Sequence, residues 1–260
     1  MTPGSKTTVI DNKEVYAKSE FDQWAFREEL EPGETFLFRK YLDAHGRTLE
    51  AGSGGGRLLL ALQNAGFTDL HGFDFLPEFV AVAQQRDQRK TIDFRVQDAT
   101  QLDYPDNSFD QLVYLQQVLC FIATEEGRKR AVCEAARILR PGGRMVVSFL
   151  SNRARKDSLF YSTFIVWLRL FRFATFSRRS VQYLPWMRHG ANVNWAALWD
   201  KAPYTYWYEA REAEALIRAA GLQVVAVGSD HQVAQGDLLG TAAELDGAPF
   251  AGRLYLVCRK

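Results

Sequence analysis

Over most of the chain, short runs of apolar residues alternate with longer segments whose apolar residues recur at helical spacing. Such alternation is typical of strand–helix–strand units, in which the strands lie parallel in one sheet and helices cover both faces. The pattern therefore predicts an α/β fold, doubly wound around a mostly parallel sheet. The first strand is expected to end at Glu50, and the next three to span residues 70–75, 92–97 and 109–115.

A glycine-rich turn, Gly52-Ser53-Gly54-Gly55-Gly56, joins the first strand to the helix that begins at Arg57. Glycine is needed in such a turn where the backbone adopts angles closed to other residues, or where a ligand must approach the main chain closely. The first amides of the following helix lack partners within the helix and can face that ligand. The turn therefore predicts a nucleotide-type site.

Two common nucleotide motifs do not fit this turn. The dinucleotide fingerprint G-x-G-x-x-G/A places Arg57 at its last position when counted from Gly52, and Leu59 when counted from Gly54. A P-loop needs Gly-Lys-Ser/Thr, but Gly56 is followed by Arg57 and Leu58. Both NAD and P-loop phosphate binding are therefore disfavoured.

The run Glu50-x-Gly52-x-Gly54-x-Gly56 resembles motif I of the class I S-adenosylmethionine (SAM) dependent methyltransferases. The segment Leu-Arg-Pro-Gly-Gly at residues 139–143 resembles the turn before the fifth strand of the small-molecule members of that family. The resemblance covers roughly residues 47–150 and resumes at residues 209–230 and 253–258. It implies seven strands and SAM as the cofactor, with S-adenosylhomocysteine as its product.

The resemblance also implies which residues hold the cofactor. Asp74, which follows the second strand, would accept hydrogen bonds from the ribose hydroxyls, and Asp98 with Ala99 would bind the adenine; the alternatives are a helix cap for Asp74 and a turn residue for Asp98. The full set implied for SAM is Glu50, Gly52, Ser53, Gly54, Gly56, Asp74, Phe75, Asp98, Ala99 and Gln116.

The residues before the glycine turn predict two helices separated by Pro32-Gly33. In the resembled family such helices often close over the cofactor, so Tyr16 and Trp24 are candidate lid residues, with core packing as the alternative. The length of 260 residues suits one methyltransferase domain spanning residues 1–260. Residues 151–208 would be an α-helical insertion between the fifth strand and its helix, where the family usually places its substrate cover.

This insertion has an unusual composition. It contains fifteen of the chain's aromatic residues, and residues 151–190 carry a charge of about +7, whereas the rest of the chain carries about −6. Residues 159–176 predict one largely apolar helix, and three interpretations differ in what covers its apolar side chains. A membrane span is disfavoured because two arginines would each cost about 2.5–3.5 kcal/mol at the bilayer centre. A lid helix packed on the sheet, and a helix in residues 158–180 that contacts an anionic membrane surface or a second subunit, both stay open.

Composition excludes several other classes. The net charge of +1 does not suit a chain that coats nucleic acid. Cys120, Cys133 and Cys258 lie far apart, with no histidine at ligand spacing, so neither a disulfide framework nor a metal site is predicted. The first twenty residues are polar and lack an apolar signal core, so the sequence predicts a cytoplasmic location.

The residues and the resemblance together predict methyl transfer from SAM to an O or N atom of a small acceptor that is both apolar and anionic. Runs typical of DNA amino-methylating enzymes, arginine methyltransferases and cytosine-C5 enzymes are absent after the fourth strand. An oxygen acceptor needs a base, for which His189 and His231 are the candidates. The alternatives are a SAM-binding module without catalysis, an NAD(P) reductase with a degenerate fingerprint, and a membrane-associated enzyme with a lipid-like acceptor.

Overall fold

The computed structural model describes residues 20–156, 158–189 and 192–260, without the side chains of Lys156, Arg188, His189 and Asn192. Its centre is a seven-stranded sheet in the order β10-β11-β5-β4-β1-β2-β3, in which β11 alone runs antiparallel to its neighbours. This confirms the predicted doubly wound fold. The strands are β1 (Thr48–Ala51), β2 (Leu70–Asp74), β3 (Asp93–Val96), β4 (Phe109–Tyr114), β5 (Leu139–Phe149), β10 (Gln223–Ser229) and β11 (Leu254–Arg259).

Helices cover both faces of this sheet. Strand β1 is buried along its whole length, as expected for a parallel strand covered on two sides. Leu49 and Leu112 point into the core on one face, while Val113 points into the core on the other. The helices are α1 (Phe21–Phe26), α2 (Pro32–Tyr41), α3 (Arg57–Asn64), α4 (Pro77–Arg86), α5 (Glu125–Ile138), α8 (Ala210–Ala219), α9 (Asp230–Gln235) and α10 (Ala242–Gly247).

The segment predicted as a turn before the fifth strand is part of β5. Phe109 pairs with Leu139 and Gln111 pairs with Arg144, so the residues between Leu139 and Arg144 form a bulge within the ladder. Gly142 adopts a φ of +79° there, which explains why glycine follows the proline. The prediction of a turn was therefore wrong, because these residues form a bulge within the strand.

The insertion after β5 is not wholly helical, which corrects the prediction. Tyr183–Pro185 pairs antiparallel with Tyr204–Tyr206, and five of these six residues are buried. Phe164, Leu168, Leu184 and Ala197 form a small separate core. The elements are α6 (Asn152–Lys156), α7 (Leu159–Ala174), β6 (Tyr183–Pro185), β7 (Arg188–His189), β8 (Asn192–Val193), a 3-10 helix (Trp195–Trp199) and β9 (Tyr204–Tyr206).

Helix α7 is the most apolar helix of the insertion, and it has sixteen residues. Among the described residues, no helix combines the length and the apolar character that a bilayer crossing requires.

Candidate active site

The glycine turn lies at the carboxyl end of β1, where ligands bind in open α/β sheets. Gly52, Gly54 and Gly56 have φ values of +64°, +51° and +80°, which favour glycine over residues with a side chain. Gly56 is also the residue that precedes α3, so the turn delivers the first amides of this helix toward the cleft. The geometry matches the reason for which the sequence predicted glycine here.

Asp74 ends β2 and lies directly behind this turn. Its Oδ2 accepts the N–H of Gly54 at 3.0 Å and its Oδ1 accepts the N–H of Leu76 at 3.0 Å, so it links the glycine turn to the residue that precedes α4. Burial raises the pKa of Asp74 to about 6, although these two backbone donors favour the ionised form. A carboxylate offers about four lone-pair sites, so the oxygens can still accept hydroxyl donors.

Glu50 and Ser53 present polar atoms without partners beside the same turn. Glu50 is 7% exposed, and neither its Oε2 nor the Oγ of Ser53 has a hydrogen-bond partner among the described residues. Burial raises the pKa of Glu50 well above its ordinary value, opposed by the charge of Arg57 and reinforced by Glu34 and Asp74. Buried polar atoms normally have partners, so these two oxygens suit the amino acid portion of SAM, whose ammonium group is a cation. The residues present therefore fit the cofactor that the motifs imply.

A buried ion pair beside the glycine turn joins α2 to α3. Arg57 Nη1 and Nη2 donate to the two carboxylate oxygens of Glu34 at 2.5 and 2.6 Å, and Gln116 Nε2 donates to the same carboxylate at 2.7 Å. Gln116 and Gln117, directly after β4, have φ values of +56° and +60°, which are unusual for residues other than glycine. Backbone strain of this kind often accompanies functional sites. The sequence analysis named Gln116 but missed Glu34, because nothing in the local sequence links a residue of α2 to α3.

Helix α1 covers the glycine turn from above. Gly55 N–H donates to the carbonyl of Trp24 at 3.1 Å, and Arg86 donates to the carbonyls of Ala25 and Gly55. The Phe21 ring stacks on Phe79 of α4 at 5.1 Å between centroids, which fixes the helix in place. Trp24, a candidate lid residue, therefore lies on the turn itself; Tyr16, the other, lies outside the described residues.

The residues expected to bind adenine occupy the carboxyl ends of β2 and β3. Asp98 is exposed and accepts both the N–H and the hydroxyl of Thr100 at 2.8 Å, with Ala99 between them. Phe75 is 37% exposed at the end of β2. The ten residues that are candidates for binding SAM thus lie at or just after the carboxyl ends of four neighbouring strands, and Asp98 follows the outermost of these strands, β3.

A cavity of about 780 Å³ opens beside the glycine turn, between α1, the carboxyl ends of β4 and β5, and the insertion. Trp24 belongs to its wall, so this side chain joins the turn to the cavity. Polar side chains on the wall are few: Glu20, Asn194 and Thr205. The remaining residues are apolar or aromatic and include Phe121, Leu150, Phe160, Tyr161, Leu184, Pro185, Trp186, Met187, Val193, Trp195, Leu198 and Trp207.

His231, one of the two histidines proposed as bases, does not lie on the described wall of this cavity. His231 lies at the start of α9, which packs against α2, and it is absent from the cavity wall as described. Four strand spacings separate β10 from β1, or about 19 Å at the usual spacing between neighbouring strands. The backbone of His189 lies in β7, but its side chain is outside what the structure describes. Glu20, which sequence analysis missed, is the acidic side chain on the described wall.

In comparison with known proteins, residues 49–147 match a family model described as a methyltransferase domain. Demethylmenaquinone methyltransferase from Tropheryma whipplei is 32% identical over 116 residues, which is 44% of this chain and 45% of that protein. Phosphatidylethanolamine N-methyltransferase from Cereibacter sphaeroides is 33% identical over 106 residues, which is 39% of this chain and 49% of that protein. The matches thus span about half the length of these curated relatives.

Among solved structures, a SAM-dependent methyltransferase from Methanosarcina mazei superposes with a TM-score of 0.61, covering 89% of this chain and 98% of that chain. Its sequence is 16% identical, so the likeness concerns the fold. The matched residues 49–147 contain the glycine turn, Asp74, Asp98 and Gln116, and they coincide with the stretch whose motifs carried the resemblance.

Proposed function

We propose that this chain, whose residues 49–147 form a class I SAM-dependent methyltransferase domain, transfers a methyl group from SAM to an O or N atom of a small, mainly apolar acceptor. The family, its cofactor and the enzyme class are those that the sequence motifs predicted. The observation that carries the finer proposal is the aromatic cavity that shares Trp24 with the glycine turn. An apolar acceptor in this cavity would lie next to the carboxyl ends of β4 and β5.

The residues of the turn would hold SAM, which supplies a methyl group on a positively charged sulfonium. Glu50 would pair with the ammonium group of the cofactor through its unpartnered oxygen, and Asp74 would accept the ribose hydroxyls. Asp98 would lie at the adenine end. Helix α1, held on the turn by Gly55 and Arg86, would exclude water from this cleft.

Methyl transfer is an in-line displacement, so the chain mainly has to align the acceptor and keep the cleft dry. The bound cofactor would supply the methyl group, and the residues of the turn and of the cavity wall would hold the acceptor atom in line with it. The proton that an acceptor hydroxyl or amine loses would pass to Glu20, the acid on the described cavity wall. This assigns to Glu20 the role of base for which the sequence had suggested histidines.

The cavity also refines the expected acceptor. The insertion contains both aromatic residues and cations, but the cavity wall as described contains aromatic residues and no lysine or arginine. An acceptor with an apolar body therefore suits the cavity better than one that is also anionic. The names of the two relatives, demethylmenaquinone and phosphatidylethanolamine methyltransferases, agree with apolar acceptors.

A non-catalytic SAM-binding module is the second candidate function. A module that only binds SAM would suit an insertion filled by its own side chains, with no open pocket. A cavity of about 780 Å³ is within the usual range for ligand sites and favours an enzyme instead.

The test uses the purified chain with SAM labelled in its methyl group. Demethylmenaquinone, phosphatidylethanolamine in detergent micelles and a polar catechol serve as acceptors, and extraction into organic solvent separates the products. We expect label in an apolar acceptor, and we expect Glu20→Gln to lower kcat at least about tenfold while the affinity for SAM stays unchanged. The control is Glu126→Gln, an exposed acid on α5. SAM binding with label in none of the acceptors would favour the non-catalytic module.

A further inference from the structure

The outer face of the insertion is an apolar surface of large side chains. Phe173 is 84% exposed and Phe176 is 93% exposed, values unusual for phenylalanine in a folded domain. Contiguous apolar patches of this kind mark sites where another surface binds. We call this the aromatic surface; it comprises Leu159, Val166, Trp167, Leu170, Phe173, Phe176, Trp195 and Trp199.

The geometry of α7 explains why these residues stay exposed. Leu159, Val166, Leu170 and Phe173 follow one another at spacings that place them on one face of a helix. The opposite face carries Phe164 and Leu168, which are buried in the small core of the insertion. Helix α7 therefore has two apolar faces, and the described part of the chain buries only one of them.

The charges around the aromatic surface are positive. Arg169, Arg178 and Lys201 are exposed and form no ion pair within the described part of the chain. Asp200 is the one acidic residue in the sequence between Ser158 and Lys201. Both oxygens of its carboxylate accept hydrogen bonds from Arg172 in a buried ion pair, at 2.6 Å to Oδ1 and 2.8 Å to Oδ2. Within residues 158–201, the surface thus presents cations with no exposed acid of the same segment to balance them.

The aromatic surface is also continuous with the cavity. Phe160 is 57% exposed and Trp195 is 71% exposed, yet both side chains belong to the cavity wall. The mouth of the cavity therefore opens between residues that border the aromatic surface. Whatever lies on this surface lies at the entrance of the cavity.

We propose that the aromatic surface docks on a lipid bilayer that contains anionic lipids, with α7 lying in the plane of the membrane interface. Tryptophan is enriched at this interface, and helices that lie in it carry apolar residues on one face and cations beside them. The uncompensated charge of Arg169, Arg178 and Lys201 suits an anionic lipid surface. In a symmetric dimer through the same patch, each copy would set its cations against those of the other, with no exposed acid to oppose them.

Docking on the bilayer needs no methyl transfer. A further consequence does rest on the proposed function: an apolar acceptor dissolved in the bilayer would enter the cavity past Phe160 and Trp195 without crossing water. The docking and the catalytic proposals can therefore fail separately.

The test measures co-sedimentation of the chain with vesicles of phosphatidylcholine, either alone or mixed with phosphatidylglycerol, and with neither SAM nor acceptor present. We expect binding to the mixed vesicles that weakens as salt rises, because attraction between exposed charges is screened over about 8 Å at physiological ionic strength. The double variant Phe173→Ser/Phe176→Ser should lose at least about tenfold in affinity, and Arg169→Ser/Arg178→Ser about tenfold at low salt.

Matched controls separate the surface from general effects. Val225→Ser removes an exposed apolar side chain on β10, and Arg130→Ser/Arg211→Ser removes the same charge elsewhere; neither should change vesicle binding. The phenylalanines are exposed, so their replacement should leave the fold and SAM affinity unchanged. The proposal is overturned if mixed vesicles do not bind the chain, or if both double variants bind like the parent. It is also overturned if sedimentation velocity shows a dimer that Phe173→Ser/Phe176→Ser dissociates while vesicles stay unbound.

Discussion

Replacing Asp74 with asparagine should change how stability depends on pH. Burial raises the pKa of this carboxyl from 3.8 to about 6, so in the folded chain it holds its proton over a range in which the unfolded chain has lost it. Through that range the free energy of unfolding must fall as pH rises. The shift of roughly two units corresponds to about 3 kcal/mol, lost between pH 4 and pH 7. An asparagine does not titrate, so the variant lacks this decline.

The assay is urea denaturation of the parent and Asp74→Asn between pH 4.5 and 8. The unfolding free energy of Asp74→Asn minus that of the parent should increase by about 2–3 kcal/mol as pH rises across this range. Asp93→Asn is the control: burial alone would raise the pKa of Asp93, but Arg95 and His71 lower it, so it stays ionised over this range. Parallel curves for the parent and Asp74→Asn would refute the assignment of a raised pKa.

The raised pKa of Asp74 also predicts how the affinity for SAM depends on pH. If ribose hydroxyls donate to the ionised carboxylate, SAM affinity should fall below pH 6 by up to about tenfold per unit, because the proton must first leave. Asp74→Asn should bind SAM more weakly than the parent at pH 7.5, by about tenfold, and without this dependence on pH. Calorimetry across the pH range measures both. Equal affinity in the parent and the variant at pH 7.5 would remove Asp74 from the cofactor site.

Three further changes probe the rest of the site. Gly55→Ala would drive a Cβ into the carbonyl of Ala25, so α1 should leave the turn and calorimetry should show weaker SAM binding; Gly247→Ala, with open space around it, is the control. Glu34→Ala should lower the unfolding free energy by about 3–5 kcal/mol by leaving Arg57 buried and unpaired, and Glu34→Leu with Arg57→Met should recover most of it in urea denaturation. Because burial raises the pKa of Glu50 and an ammonium group would favour its ionised form, SAM binding should release protons over a pH range above the ordinary pKa of a glutamate carboxyl. Calorimetry in buffers of different ionisation enthalpy detects this release; its persistence in Glu50→Gln would exclude Glu50.

The sheet and the positions of the candidate cofactor residues could be predicted because their sequence signals are local. A glycine turn between a buried strand and a helix specifies backbone geometry directly, and Asp74 and Asp98 follow their strands in sequence. Parallel strands then bring those sequence positions to one edge without further information. The ion pair between Arg57 and Glu34 left no such signal, because it depends on how α2 packs against α3. Glu20 was missed for the same reason, since α1 reaches the cavity by packing over the turn.

The insertion shows why composition alone could not assign the acceptor. The sequence put aromatic residues and cations in one segment, and from this an acceptor that is both apolar and anionic was a reasonable expectation. In the folded chain the aromatic residues divide into two groups: Trp186 and Trp207 belong to the cavity wall, while Phe173 and Phe176 are exposed, as are Arg169 and Arg178. Arg172 belongs to neither set, because Asp200 holds it in place within the insertion. The aromatic residues of the wall therefore relate to what enters the cavity, and the exposed aromatic residues and cations relate to the surface on which we propose that the chain docks.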